Sequence, residues 1–98
     1  MSTQAMTQQI AEYFKTQPVL KAWLFGSFAR GEETPLSDID LLVEYDKGGV
    51  SLLKHAAMIC ELEKILGRPV DIVQEKLLRR HVRESVNQHR KLIYERTR

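Results

Sequence analysis

The chain has 98 residues, of which 43% are hydrophobic and 29% charged, with a formal net charge of +2. This length suits one domain, since domains span roughly 50 to 200 residues, and we predict a single domain over residues 1–98. The balance is that of a globular protein and excludes disorder along the whole chain, while the small net charge gives no argument for a nucleic-acid ligand.

The first half of the chain predicts one helix and two strands. Apolar residues recur at helical spacing over Thr3 to Thr16, which predicts an amphipathic helix that ends before Pro18. Val19–Phe25 is apolar on both faces, as expected of a strand buried between layers, and we interpret Trp23 within it as a core residue. After a short connection bracketed by glycines, alternating polar and apolar residues predict a second strand over Asp38–Glu44.

The second half predicts two more helices and two more strands. A long helix is expected between Ser51, its N-terminal cap, and Gly67, which ends it. Pro69–Val73 is typical of a third strand, and apolar spacing over residues 77–86 predicts a further helix of about a dozen residues. Lys91–Glu95 suits either a short closing strand or a helical continuation, and we favour the strand.

This order of elements predicts an α/β (α+β) two-layer domain with a small mixed β-sheet flanked by helices. The N-terminal residues lack a basic segment followed by an apolar one, so we expect no secretory signal. No apolar run approaches the roughly 20 residues that a membrane-spanning helix needs. The single cysteine, Cys60, excludes an internal disulfide, and its place in an apolar helical pattern predicts a buried thiol. A reducing cytoplasm is the expected compartment.

Asp38 and Asp40 supply the first candidate chemistry. On a strand, residues two apart point to the same face, so these carboxylates would project side by side, about 6–7 Å apart. Two anions at this spacing repel each other unless water screens them or a cation lies between them. Carboxylate oxygens suit Mg²⁺ or Mn²⁺, which bind one or two protein carboxylates together with substrate phosphates. An isolated Asp-x-Asp is more often a solvated surface pair, so this interpretation needs a second feature.

Gly26 and Ser27 are that second feature, because they directly follow the buried strand that ends at Phe25. Glycine lets backbone N–H groups approach a phosphate closely, and the serine hydroxyl adds a further donor. An isolated Gly-Ser is usually only a turn. If the next strand runs antiparallel to the first, however, this turn and the two aspartates meet at one rim of the sheet. The combination indicates a site for phosphate and metal.

These residues form a motif that resembles the signature of the DNA polymerase beta-like nucleotidyltransferase superfamily. The motif consists of Gly26-Ser27-Phe28-Ala29-Arg30-Gly31, five further residues, and then Ser37-Asp38-Ile39-Asp40-Leu41-Leu42-Val43. The short chain and this spacing are similar to the minimal nucleotidyltransferase branch of the superfamily. The predicted order of elements extends the resemblance over nearly the whole chain.

The resemblance implies a nucleotidyltransferase fold with a defined set of site residues. Gly26 and Ser27 would hold the triphosphate of ATP or another nucleoside triphosphate. Asp38 and Asp40 would ligate two Mg²⁺ ions, with Mn²⁺ as an alternative. The resemblance also implies a third carboxylate on a later strand, which completes the metal site and activates the acceptor hydroxyl.

Asp71 is the best candidate for this third catalytic and metal-ligating carboxylate, because it lies in an apolar strand where an unpaired charge would be costly. Glu44 and Asp46 are weaker rivals. Arg30 has two interpretations of equal weight, a bidentate contact with a phosphate of the nucleotide or a surface ion pair with the neighbouring glutamates. Phe28 departs from the residue often found there in relatives and is expected to pack under the loop.

The segment from Lys76 to Arg98 is basic, with eight Lys or Arg and two Glu. It lacks the interleaved aromatic residues of a base-stacking surface, so we favour a solvated face or a protein partner over nucleic acid. His55, His81 and His89 have no metal-ligand spacing and are interpreted as surface or helix-packing residues.

A chain of this length leaves no room for a second domain that would bind the acceptor. Members of the minimal branch are commonly paired with a HEPN-type protein, in many cases a ribonuclease toxin. The resemblance therefore implies an antitoxin that transfers AMP to a tyrosine hydroxyl of its partner. Two alternatives stay open: a non-enzymatic antitoxin that masks its partner, and an enzyme that adenylylates a small molecule such as an aminoglycoside. A homo-oligomer and a hetero-oligomer are both compatible with the sequence.

Overall fold

The computed structural model of the protein describes residues 3–78 and 90–96. The elements in chain order are α1 (Thr3–Phe14), β1 (Val19–Phe25), α2 (Ser27–Arg30), β2 (Ile39–Tyr45), α3 (Leu52–Leu66), β3 (Val70–Gln74), a 3₁₀ turn (Glu75–Leu77) and β4 (Lys91–Glu95). Across these two stretches, no helix has the length and apolar character needed to cross a membrane.

The four strands form one mixed sheet in the order β3-β2-β1-β4. β1 runs antiparallel to both β2 and β4, whereas β2 and β3 are parallel. A parallel pair needs a crossover connection, and α3 supplies it. The mixed sheet with helices confirms the predicted fold class. Because β1 ends where β2 begins, the turn after Phe25 and the start of β2 share one edge of the sheet.

The core lies between one face of the sheet and the helices α1 and α3. β2 and β3 alternate between this face and the opposite one, and β1 does so after an irregularity between Val19 and Lys21. The core consists of buried side chains from the helices, from α2 and from the inner face of β1, β2 and β3: Met6, Ile10, Phe14, Val19, Ala22, Leu24, Phe28, Ile39, Leu41, Val43, Tyr45, Met58, Leu62, Val70 and Ile72. The opposite face carries Asp40 and Asp71, so packing of the core fixes the strands that hold these acids.

Most element boundaries agree with the sequence predictions. Ser51 caps α3, its side chain accepting a hydrogen bond from the Lys54 N–H, and Gly67 ends the helix in the left-handed conformation. The strand at Lys91–Glu95 is confirmed. α1 ends two residues earlier than predicted, and β2 begins at Ile39 rather than one residue before it. The further helix predicted over residues 77–86 falls almost entirely outside the described residues.

Two predictions about burial are wrong. Cys60 is exposed, because it lies two residues from both Met58 and Leu62 and therefore on the far side of α3 from the face that these two residues bury. Trp23 is half-buried on the sheet face opposite the core, where the Arg90 guanidinium lies 4.6 Å from its ring centroid. The apolar run of β1 therefore does not distinguish the core face from the opposite face, where Trp23 pairs with the fully buried Leu42.

Candidate active site

Three acidic residues lie near one end of the sheet. Asp40 and Asp71 occupy paired positions on the parallel neighbours β2 and β3. Paired residues on adjacent strands point to the same face, and the strands lie about 4.8 Å apart. Asp38 comes at the end of the loop before β2 rather than on the strand itself. Asp38 and Asp71 are exposed, and Asp40 is half-buried between them and the end of β1.

The position of Asp71 depends on contacts that its sequence neighbourhood does not reveal. Val70 begins β3, and its N–H donates a hydrogen bond of 3.0 Å to Glu63 Oε2 of α3. The parallel register with β2 then sets Asp71 beside Asp40. The apolar setting expected for Asp71 is not found, because its side chain is exposed on the sheet face opposite the core, to which Val70 and Ile72 point.

The electrostatics of this end of the sheet centre on Asp40. Burial raises the pKa of its carboxyl above the ordinary value, and the charges of Asp71 and Asp38 raise this pKa further, while Arg30 acts in the opposite direction. Each of these neighbours is therefore close enough to influence the charge on Asp40. The ionised carboxylate is unfavourable here unless a positive group or a cation offsets it.

Gly26 brings the turn after β1 directly against Asp40. Its backbone has φ 73° and ψ −152°, a conformation essentially restricted to glycine. A Cβ atom at this position would collide with the Asp40 Oδ2 atom and lie 3.3 Å from its Cγ. Ser27 follows at once as the first residue of α2, so the Gly-Ser turn and the acids meet at one rim.

Arg30 lies at the end of α2 and makes contacts that agree with both interpretations of its role. Its Nε is 3.4 Å from Glu32 Oε2, in an ion pair whose side chains are 40% and 67% exposed. It also lowers the pKa of the Asp40 carboxyl. An exposed pair of this kind contributes little stability, so Glu32 does not prevent Arg30 from contacting an anion.

Glu44 and Asp46, the rival candidates for the third carboxylate, lie away from this rim. Glu44 is on the same strand as Asp40 but four residues further along, about 13 Å at the usual rise of a strand. Asp46 follows the far end of β2 and is 3.1 Å from Arg96 Nη1. The structure thus places Asp71, and neither rival, beside Asp40.

His55 and Phe28 behave as the sequence predicts. His55 Nδ1 is 2.6 Å from the hydroxyl of Tyr45, which makes it a helix-packing residue on α3. Phe28 is buried beneath the turn that starts at Gly26. His81 and His89 lie outside the described residues.

The acids fit a hard divalent cation through their chemistry. All three offer only carboxylate oxygens, which suit Mg²⁺ and Mn²⁺. Among the described residues, no three His, Cys, Asp or Glu side chains are already arranged to hold a metal ion by themselves. Magnesium does not require such a cage, because it usually takes one or two carboxylates and completes its shell with water and substrate phosphates. Burial and then the charges of Asp71 and Asp38 raise the pKa of the Asp40 carboxyl, and a bound cation would offset these effects.

Comparisons with known proteins agree with this arrangement. The family model described as a nucleotidyltransferase domain matches residues 7–94. A Methanocaldococcus jannaschii protein, provisionally named a protein adenylyltransferase, is 44% identical over 73 residues that cover 72% of this chain and 71% of the relative. A solved structure provisionally described as a minimal nucleotidyltransferase is 35% identical, with a TM-score of 0.77 and coverage of 92% of this chain and 94% of the other.

The fold of this chain is also similar to that of a chain in a solved complex. The complex contains a tri-AMPylated HEPN toxin of Shewanella oneidensis together with its minimal nucleotidyltransferase antitoxin. The similar chain has a TM-score of 0.73 and 18% identity, and the alignment covers 97% of this chain and 74% of the other. At this identity the likeness concerns the fold alone.

Proposed function

The chain belongs to the nucleotidyltransferase domain family, and from this premise we propose that it transfers AMP from ATP to a hydroxyl of a partner protein. The observation that carries the proposal is the pairing of Asp40 with Asp71 directly beside the Gly26 turn. This arrangement sets carboxylates next to a turn that brings the backbone and Ser27 to the same rim. Such a rim suits a nucleoside triphosphate, which carries phosphates and bound cations.

Each residue of the rim has a proposed role. Asp38, Asp40 and Asp71 would hold divalent cations, which we take to be two Mg²⁺ ions with Mn²⁺ as a substitute. When bound, such ions neutralise charge on the phosphates as the reaction proceeds. Gly26 lets the turn pack against Asp40, so that its backbone N–H groups would reach the triphosphate, and Ser27 offers a hydroxyl donor.

The reaction that we propose is an in-line displacement at the α-phosphorus. A bond forms between the acceptor oxygen and the α-phosphorus, the bond from that phosphorus to the bridging oxygen breaks, and pyrophosphate leaves. Asp71 is exposed and is our candidate to receive the proton of the acceptor hydroxyl. Arg30 would contact the triphosphate and offset its charge.

For the acceptor we propose a tyrosine hydroxyl of a HEPN-type toxin, with the chain acting as its antitoxin in the cytoplasm, where ATP is available. The support is the name of the Methanocaldococcus jannaschii relative and the AMPylated toxin in the Shewanella oneidensis complex. The exposure of Asp38 and Asp71 also supports it, because both are accessible to a protein substrate.

The test is to incubate the protein with ATP, Mg²⁺ and the product of the adjacent gene, and to measure intact masses. We expect the partner to gain one or more AMP units and lose its toxicity. Asp38→Asn should abolish the gain, whereas Asp46→Asn, at the far end of β2, should retain it. Neutralisation that persists in Asp38→Asn and without ATP would favour masking. AMP transfer to an aminoglycoside but not to the partner would favour a small-molecule enzyme.

A further inference from the structure

Arg68 lies between α3 and β3 and contacts two other segments of the site. Its Nη1 donates hydrogen bonds to the backbone carbonyls of Thr34, at 3.2 Å, and Ser37, at 2.9 Å. Its guanidinium carbon lies 5.2 Å from the centroid of the Phe28 ring. One half-buried side chain therefore connects α2, which follows the Gly-Ser turn, with the loop that ends at Asp38.

Pro69, the residue after Arg68, binds the backbone on the C-terminal side of Asp38. The Ile39 N–H donates a hydrogen bond of 2.9 Å to the Pro69 carbonyl. Asp38 thus lies between Ser37, whose carbonyl accepts from Arg68, and Ile39, whose N–H donates to Pro69. The backbone on both sides of this aspartate is bound to two consecutive residues that lead into β3 and Asp71.

The rest of the loop is bonded to α1 and α2 rather than to the sheet: the Thr3 hydroxyl donates to Glu33 Oε1 at 3.2 Å, and the Glu32 N–H donates to the Ser27 carbonyl at 2.9 Å. Residues 31–36 are exposed, and two of the internal bonds of the loop join Thr34 to Ser37: the Thr34 N–H donates to Ser37 Oγ at 2.8 Å, and the Ser37 N–H donates to the Thr34 carbonyl at 3.0 Å. These bonds give the loop its local shape but do not attach it to the sheet. Arg68 donates to both carbonyls of this small turn, and its hydrogen bonds are charge-assisted.

We propose that Arg68 is a positioning residue for nucleotidyl transfer, which fixes the backbone of Asp38 relative to Asp40, Asp71 and the Gly-Ser turn. This inference rests on the proposed function. The placement of the reacting groups matters at such a site, since a displacement of about 1 Å can lower a rate about a hundredfold. Arg68 acts through the loop and through Phe28, and the structure gives it no direct part in the reaction.

The test compares Arg68→Gln and Arg68→Lys with a matched control, Arg96→Gln. Arg96 is also half-buried and donates to a backbone carbonyl, that of Gln17, and to Asp46, but at the opposite end of the sheet. Amide hydrogen exchange is measured without nucleotide or metal. In Arg68→Gln we expect exchange over residues 31–39 to rise by about tenfold, as suits the loss of charge-assisted hydrogen bonds, with no such rise in Arg96→Gln.

Steady-state AMP transfer to the partner provides the second measurement. Arg68→Gln should lower kcat by about 10- to 100-fold with a much smaller change in the KM for ATP. Arg68→Lys should restore part of both the protection and kcat, because lysine can donate to the carbonyls but cannot lay a planar group on Phe28. The milder lysine variant also keeps the test open if the glutamine variant does not fold.

Three results would overturn the proposal. The first is unchanged exchange over residues 31–39, and the second is a rise that is equally large in Arg96→Gln. The third is a raised KM with kcat intact, which would indicate direct nucleotide binding by Arg68. If the wild-type protein transfers no AMP, the proposed function fails and the role of Arg68 in positioning the site for this reaction fails with it. Unchanged exchange in an active wild-type background removes the role of Arg68 alone.

Discussion

Among single residues, Gly26 has the strictest steric requirement. Its backbone conformation excludes side chains, and Asp40 occupies the space that a Cβ would take. Gly31 ends α2 at φ 71° and has no atom within 4 Å of the position of a Cβ. Substitutions at these two glycines therefore distinguish the cost of backbone strain, which both share, from the cost of the contact with Asp40, which only Gly26 makes.

We expect Gly26→Ala to destabilise the protein by more than about 2 kcal/mol, because it adds a steric clash to a strain of about 1–3 kcal/mol. Gly31→Ala should cost only about 1 kcal/mol, the strain of the left-handed conformation alone. Urea unfolding measures both. Equal losses in the two variants would show that the close approach of Asp40 to Gly26 has no energetic weight.

Asp40 gives a pH-dependent prediction at the same scale. Its pKa is raised in the folded protein by burial and by Asp71 and Asp38, so the folded state binds this proton more tightly than the unfolded chain does. The unfavourable charge is absent below the ordinary aspartate pKa and develops as pH rises through the raised pKa. The contribution of Asp40 to stability therefore falls with rising pH.

Asp40→Asn should consequently abolish AMP transfer yet melt at a higher temperature than wild type at pH 7 without divalent cations. This difference should disappear at a pH below about 3.9, the ordinary pKa of aspartate. Circular dichroism melts across this range measure it. Asp46→Asn is the control, since it removes a partner of Arg96 and should give no gain. A lower melting temperature of Asp40→Asn at pH 7 would contradict the electrostatics that we describe.

At the scale of elements, local signals predicted most boundaries. The Ser51 cap and the left-handed Gly67 confine α3, and both were evident as residue types beside an apolar helical pattern. Burial within elements was less predictable. The exposure of Cys60 follows from the face that α3 presents to the sheet, and the half-buried Trp23 follows from the alternation of β1. Such orientations depend on how elements pack together, which a single apolar run does not specify.

The cap of α3 can be tested without disturbing the acids, because Ser51 lies near the far end of β2. Ser51→Ala should cost about 1 kcal/mol, since the Lys54 N–H loses its acceptor at 3.0 Å. Ser51→Asp should retain most of the stability, because aspartate also caps helices well. Chemical denaturation measures both, and AMP transfer per folded molecule should match wild type. A large loss of transfer in Ser51→Ala would place this end of α3 in the functional surface.

At the scale of the whole molecule, the topology assembles the rim from distant segments. The Gly-Ser turn and Asp38-x-Asp40 were recognisable from the sequence because they lie close together in a known motif. The parallel register that pairs Asp71 with Asp40 depends on the crossover through α3, and no local pattern encodes it. Arg68 left no signal either, since it binds backbone carbonyls more than 30 residues away.

The most direct measurement follows the α- and γ-phosphates of ATP during the reaction. The protein and the product of the adjacent gene are incubated with Mg²⁺ and ATP carrying radioactive phosphorus at either the α or the γ position. We predict that the α label becomes covalently attached to the partner and that the γ label leaves in pyrophosphate. Asp40→Asn and Asp71→Asn should lose this transfer, while Asp46→Asn should keep it. Attachment of the γ label, or α-label transfer that survives in Asp40→Asn, would contradict nucleotidyl transfer at these acids.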